Sequence, residues 1–149
     1  RINDQDVSAK LVGSKNFEHT KLFYGQAFET LTSGFVFLAC LNNILSGRPF
    51  DQFQHMTLKK YVHDIEKAKR ANPFKDQPEL SRFAEHLDSS LRNGSHHASI
   101  WRDGETVFYR SGGTGAQRDM PYAEYLHLCN ELAISCTALF VLEYELMAK

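Results

Sequence analysis

Two long apolar segments constrain the fold of this chain more than any other feature. From Phe17 to Leu45 the apolar residues, among them Leu22, Phe28, Leu31, Phe35, Leu38 and Leu41, recur at offsets of three, four and seven. That spacing predicts one long helix. Ser46-Gly47 followed by Pro49 ends it. Gly25 and Gly34 either weaken it locally or let another helix approach closely. Pro121 opens a second such segment, to about Met147, which is apolar almost all round between Leu132 and Leu142. A helix of that kind is central in a bundle or buried in a subunit interface.

Between these two lie shorter patterns. A helix is expected from Asp51 to about Arg70, ended by Asn72-Pro73. Another is expected from Asp76-Gln77-Pro78-Glu79, with Asp76 as cap, Pro78 in the first turn and Glu79 closing a capping box. It carries Leu80, Phe83, Leu87 and Leu91 on one face and stops at Gly94. Then the period changes. Residues 98–109 hold Asp103-Gly104 between two β-prone runs, a hairpin turn that sets Arg102 opposite Glu105. Ser111-Gly-Gly-Thr-Gly115 reads as a flexible loop. The expected architecture is all-α: a bundle of four main helices with a small β-hairpin inserted before the last. Residues 1–16 read as a polar lead-in and 17–149 as a single domain.

A chain of 149 residues buries enough surface to fold without disulfide or metal staples. Its 42% hydrophobic and 23% charged residues exclude a disordered tail or a coiled-coil rod. Three cysteines make no disulfide framework and suit a reducing compartment. Cys129 and Cys136, seven residues apart, read as small core residues on one helix face. The unbroken apolar stretches Phe35–Leu41 and Ala138–Leu142 are too short to cross a bilayer. The polar opening RINDQDVSAK is no signal peptide, and a start at Arg1 suggests a piece of something longer. The expected location is the cytoplasm.

The segment that carries chemistry is Leu91-Arg-Asn-Gly-Ser-His-His97, an R-N-x-x-x-H pattern. Arg92 offers a fixed cationic fork for phosphate oxygens. His97 can take or give a proton near neutral pH. The Asn93 amide can hold either partner or the substrate. Together they form a kit for phosphodiester cleavage without metal, with Arg92 stabilising the five-coordinate phosphate. The bland alternative is a set of surface residues at a helix end. Arg92 and His97 are off-face in a regular helix, whereas Arg92 and His96 share one; a kink at Gly94 would bring His97 round instead. His96 and Ser95 are accessory candidates. Ser95 is not part of a Gly-x-Ser-x-Gly elbow.

This motif, at the end of one helix and ahead of a long apolar one, resembles the HEPN superfamily, whose members are helical bundles with an Arg-(four to six residues)-His motif. The hairpin, glycine-rich loop and Tyr122-x-x-Tyr125 that follow resemble the branch found in bacterial abortive-infection and defence proteins. The resemblance implies a metal-independent endoribonuclease, active as a homodimer whose two motifs face one cleft. In it the RNA 2′-hydroxyl attacks the adjacent phosphate and leaves a 2′,3′-cyclic phosphate and a 5′-hydroxyl. By the same resemblance Arg92 and His97 are the catalytic pair and Asn93 the supporting residue; His96 has no firm counterpart. Ser99 stands where the branch paired with a nucleotidyltransferase has a Tyr, which disfavours that branch. The alternative is a non-catalytic dimerisation, interaction or nucleotide-binding module of a larger protein.

Other sites are weaker. Five histidines between His55 and His97 include no HExxH, and no cysteines form CxxC, so neither metal nor cofactor is expected. Lys59, Lys60, Trp101, Arg102, Tyr109 and Arg110 are the candidate RNA contacts, by charge or base stacking. The run Lys59, Lys60, Lys67, Lys69, Arg70 reads otherwise as a solvated helix face. The net charge of -1 conceals an asymmetry: residues 48–118 carry twelve Lys or Arg against nine Asp or Glu, and residues 119–149 one against five. A footprint this modest predicts weak, salt-dependent RNA binding.

Overall fold

The computed structural model describes residues 16–53 and 55–148; the polar lead-in expected at 1–16 lies outside them except for Asn16. The described chain is mostly helical, with five α-helices and a small three-stranded antiparallel sheet, in place of four main helices and a hairpin. It divides into two compact units. The first takes the chain up to Phe28 together with Asp88–Ile134; the second takes Glu29–Leu87 and the chain from Ser135.

Helix α1, Phe17–Leu45, forms as the periodicity requires. Asn16 caps it, its side-chain oxygen accepting the His19 amide at 3.1 Å. At its end Gly47 takes φ +72°, while the Gly47 and Arg48 amides donate to the Ile44 and Asn43 carbonyls at 2.9 and 2.8 Å. This paired closure needs the positive φ that glycine adopts freely. The last helix, α5, is Tyr122–Met147.

The middle of the chain departs from expectation. Helix α2 is only Leu58–Asp64, capped by Thr57, which accepts the Lys60 amide. The chain then folds back through single 3₁₀ turns at Lys67–Lys69 and Asn72–Phe74. Arg70 explains the early end. Its guanidinium donates to the Val62 carbonyl at 2.7 Å and the Thr32 carbonyl at 3.5 Å, and its own carbonyl accepts the Tyr61 hydroxyl. Arg70 is therefore buried, at 9% exposure, and is not part of a solvated face. The helix expected from Asp76 to Gly94 is also broken. Helix α3 is Pro78–Ser81, preceded by Gln77 with no side-chain cap, so the Asp76 capping box does not form. Helix α4 is Ser89–His96, capped by Asp88, whose carboxylate accepts the Ser90 and Leu91 amides at 2.6 and 3.2 Å. Asp88-Ser-Ser is itself a cap signal, but the apolar spacing of Leu87 and Leu91 ran through it. Gly94 is no stop; it lies buried inside α4.

Strands β1 (Ile100–Asp103), β2 (Thr106–Arg110) and β3 (Gln117–Pro121) pair in that order. Asp103 pairs with Thr106, so Gly104-Glu105 is the turn, one residue later than expected. Gly104, at φ +57°, takes the first turn position, where a positive φ is needed. Arg102 and Glu105 still form an ion pair at 2.6 Å, across the turn and not across the strands. The loop after β2 begins with a single 3₁₀ turn at Ser111–Gly113. A Cβ on Gly115 would lie 2.7 Å from the Ser111 carbonyl oxygen, so only glycine fits where the chain closes back toward β3.

Each unit has its own core. In the first, Tyr24 and Phe28 of α1 and Leu91 of α4 are buried with Ile100, Val107 and Tyr109 of the sheet and Tyr122, Tyr125 and Cys129 of α5. The Tyr24 hydroxyl accepts the Asp88 amide at 3.0 Å and so fixes the start of α4. In the second, Phe35 meets Phe74 edge-on at 5.2 Å, and Leu139 of α5 lies over Gly34 of α1. A Cβ at Gly34 would come 2.5 Å from Leu139 Cδ2, so the close approach of helices is the role this glycine fills.

Taken whole, α1 and α5 are each long and apolar enough to cross a membrane by length and composition. The short unbroken apolar runs understated this. In their most apolar windows 44% of α1 but only 22% of α5 is buried. The far half of α5 exposes Phe140, Val141, Tyr144, Leu146 and Met147.

Candidate functional site

Helix α4 sorts its residues by face. Leu91, Gly94 and Ser95 are buried, at the i, i+3, i+4 spacing of one helical stripe. A Cβ on Gly94 would sit 3.3 Å from Ile100 Cβ, so the helix lies tightly on the sheet. The remaining positions, Arg92, Asn93, His96 and His97, are therefore turned outward, part-exposed or exposed. They form two rows one turn apart, Arg92 with His96 and Asn93 with His97. The His97 amide donates to the Asn93 carbonyl at 2.9 Å, so the helical repeat holds through the motif without a kink at Gly94.

A side-chain bond links the rows. Arg92 Nη1 donates to Asn93 Oδ1 at 2.9 Å, drawing the guanidinium toward the face that carries His97. Asn93 Nδ2 in turn reaches Ser111 Oγ, just past the end of β2, at 3.5 Å. Asn93 thus bonds the Arg92 guanidinium with its side chain and the His97 amide with its carbonyl. His96 lies against α1, where a Cβ on Gly25 would come 3.4 Å from its Nε2. Ser95, the other accessory candidate, is buried, and its hydroxyl donates to the Leu91 carbonyl at 2.9 Å, away from the outward face.

After His97 the chain turns sharply. Ala98 has φ +52°, and the Ser99 amide closes on the Gly94 carbonyl at 3.0 Å. A side chain in this left-handed conformation costs about 1 kcal/mol. Ala98→Gly is therefore expected to stabilise the protein by about 0.5–1 kcal/mol, raising Tm by about 2 °C in a thermal melt.

The sheet offers a second surface in the same unit. Trp101, 40% exposed, stacks on Phe108 at 5.6 Å, and the Arg110 guanidinium lies 5.8 Å over the Trp101 ring. Trp101 thus packs on its neighbouring strand and still presents its ring to solvent. Tyr109 alternates inward at 5% exposure and offers no ring to a base, which corrects its expected role. Arg102 is committed as well: it sits 3.8 Å over the Tyr122 ring and bonds the Gly104 carbonyl and Glu105. Lys59 and Lys60 are exposed but belong to α2, in the other unit. The first unit therefore gathers Arg92, Asn93, His97, Trp101 and Arg110, with Phe108 and Ser111 joining them. The observed strand register picks out Phe108, and the bond from Asn93 picks out Ser111.

Burial disfavours the thiolate form of all three cysteines. Burial pushes the Cys129 thiol up to about 12 and raises Cys40 and Cys136 as well, the carboxylate of Asp51 adding to the effect at Cys40. Cys129 is therefore almost wholly in the thiol form at pH 8. Native protein treated with iodoacetamide is expected to leave Cys129 unlabelled by mass spectrometry, with full labelling only in denaturant. The buried Tyr125 phenol is likewise raised by loss of solvent, against the opposing Ser95 hydroxyl. Among the described residues no three His, Cys, Asp or Glu side chains converge to hold a metal ion. No family model, curated protein or solved structure matches this chain.

Proposed function

We propose that this chain is a HEPN-type, metal-independent endoribonuclease, acting as a cytoplasmic homodimer in bacterial defence or a toxin-like stress response. The observation that carries the reading is the Arg92–Asn93 bond on the outward face of α4, one turn before His97. It gathers a phosphate-binding fork, an amide and an imidazole at one helix end. The exposed Trp101–Phe108 stack with Arg110 adds a surface for an unpaired base and its phosphate.

In the proposed reaction the RNA 2′-oxygen attacks the adjacent phosphorus. His97 of one copy takes the 2′-hydroxyl proton, and His97 of the second returns a proton to the leaving 5′-oxygen. Arg92 neutralises charge on the five-coordinate phosphate, and Asn93 aims Arg92. The P–O5′ bond breaks, leaving a 2′,3′-cyclic phosphate. The test is incubation of the protein with RNA in EDTA, with analysis of the product ends. Cyclic phosphate and 5′-hydroxyl ends from the wild type, and none from His97→Ala, are expected. Cleavage that needs metal or survives the substitution overturns the mechanism.

A second reading, a non-catalytic interaction module, is favoured by the exposed apolar residues of α5 from Phe140 to Met147. It predicts no RNA cleavage at any protein concentration and a stable dimer unaffected by Arg92→Ala.

A further inference from the structure

The second unit holds a cleft that the proposed ribonuclease chemistry does not use. Its volume is about 730 Å³, in the range of small-molecule sites. It is lined from the turn after α1, from α2 and from the two 3₁₀ turns that follow, all within Glu29–Leu87. Two kinds of group converge there. Phe53, half-buried, is backed by the Tyr61 ring stacked at 4.6 Å and 16°. This makes a flat, rigid apolar wall suited to a planar ring. Arg48, Lys69 and Lys75 supply three cations against the single carboxylate of Asp76.

The arginine is held in place. Asn43 is buried, at 3% exposure, with its Nδ2 on the Phe50 carbonyl at 3.0 Å. Its Oδ1 accepts Arg48 Nε at 3.3 Å and Nη2 at 3.0 Å. A buried amide thus orients an otherwise exposed guanidinium and leaves three of its N–H donors for an anion. Lys69 also pairs with exposed Glu66 at 2.8 Å, a surface contact weak enough for a phosphate to displace.

We propose that this cleft binds an aromatic phosphate ester of mononucleotide size, with its ring on Phe53 and its phosphate between Arg48, Lys69 and Lys75. The same chemistry could come from a free mononucleotide or from the phosphorylated 5′ end of an RNA strand.

The experiment is calorimetry on the whole chain with AMP, adenosine, inorganic phosphate and a 5′-phosphorylated RNA tetramer. AMP is expected to bind, with adenosine and phosphate each weaker by about tenfold or more, because each lacks half of the contacts. The Lys69→Ala, Lys75→Ala double variant changes two exposed side chains and should weaken AMP about tenfold with an unchanged circular dichroism spectrum. Phe53→Leu should weaken AMP without affecting phosphate. A tetramer that outcompetes AMP assigns the site to a strand end; a tetramer that does not assigns it to the free ester. No AMP binding at about 5 mM, or an affinity unchanged in the double variant, overturns the proposal. His97→Ala should bind AMP as the wild type does, so failure here and failure of the ribonuclease reading are separable.

Discussion

His97→Ala is expected to lower the rate of RNA cleavage by about 10²–10⁴-fold, the usual worth of a positioned proton-transfer group. The fold should not change. His97 is exposed, and its structural bond is made by its backbone amide to Asn93, which alanine keeps. Loss of activity with an unaltered melting curve therefore separates chemistry from stability. Arg92→Lys sharpens the result. Lysine retains the charge but cannot hold Asn93 and a phosphate with one planar fork, so the rate should fall about tenfold or more. Single-turnover cleavage at low salt is the measurement, because weak electrostatic binding is lost quickly as salt rises. Equal rates for wild type and His97→Ala would leave the motif as surface residues at a helix end.

Arg70→Ala should give the largest loss of stability, about 2–4 kcal/mol. The change strands the Val62 carbonyl near the end of α2, removes the longer contact to the Thr32 carbonyl and opens a void beneath α2. Arg70→Met refills much of the volume without restoring either bond, so it should recover only part of the loss. Urea denaturation reads both, and the midpoint should fall with little change in slope. A shift below about 0.5 kcal/mol for Arg70→Ala would mean that the bonds merely offset the cost of burying the guanidinium.

How much of the molecule was legible follows from which forces are local. Both long helices could be read, because a repeated apolar face and, for α1, the Gly47 stop act within a few residues. The sequence leaves Gly34 either a local weak point or a point of close approach; the structure selects the second, with a partner, Leu139, that was not foreseeable. The middle of the chain was misread for a physical reason. Apolar spacing there marks residues that enter a core, but Phe74 and Leu80 enter it from 3₁₀ turns and a one-turn helix, not from long helices. The third strand carries no β-prone run. Gln117–Pro121 becomes a strand because β2 offers it an unpaired edge.

The sequence by itself determined the helical class, the two long helices, the presence of a hairpin and the candidate motif residues Arg92, Asn93 and His97. Tertiary structure decided the rest. It buried Arg70, Tyr109 and Ser95, which composition would leave on the surface. It set Asn43 to hold Arg48 at a cleft, and it turned Arg92 onto Asn93. The reason is range: caps, turns and periodicity are fixed by neighbours along the chain, whereas burial and side-chain pairing depend on residues far along it that folding brings together.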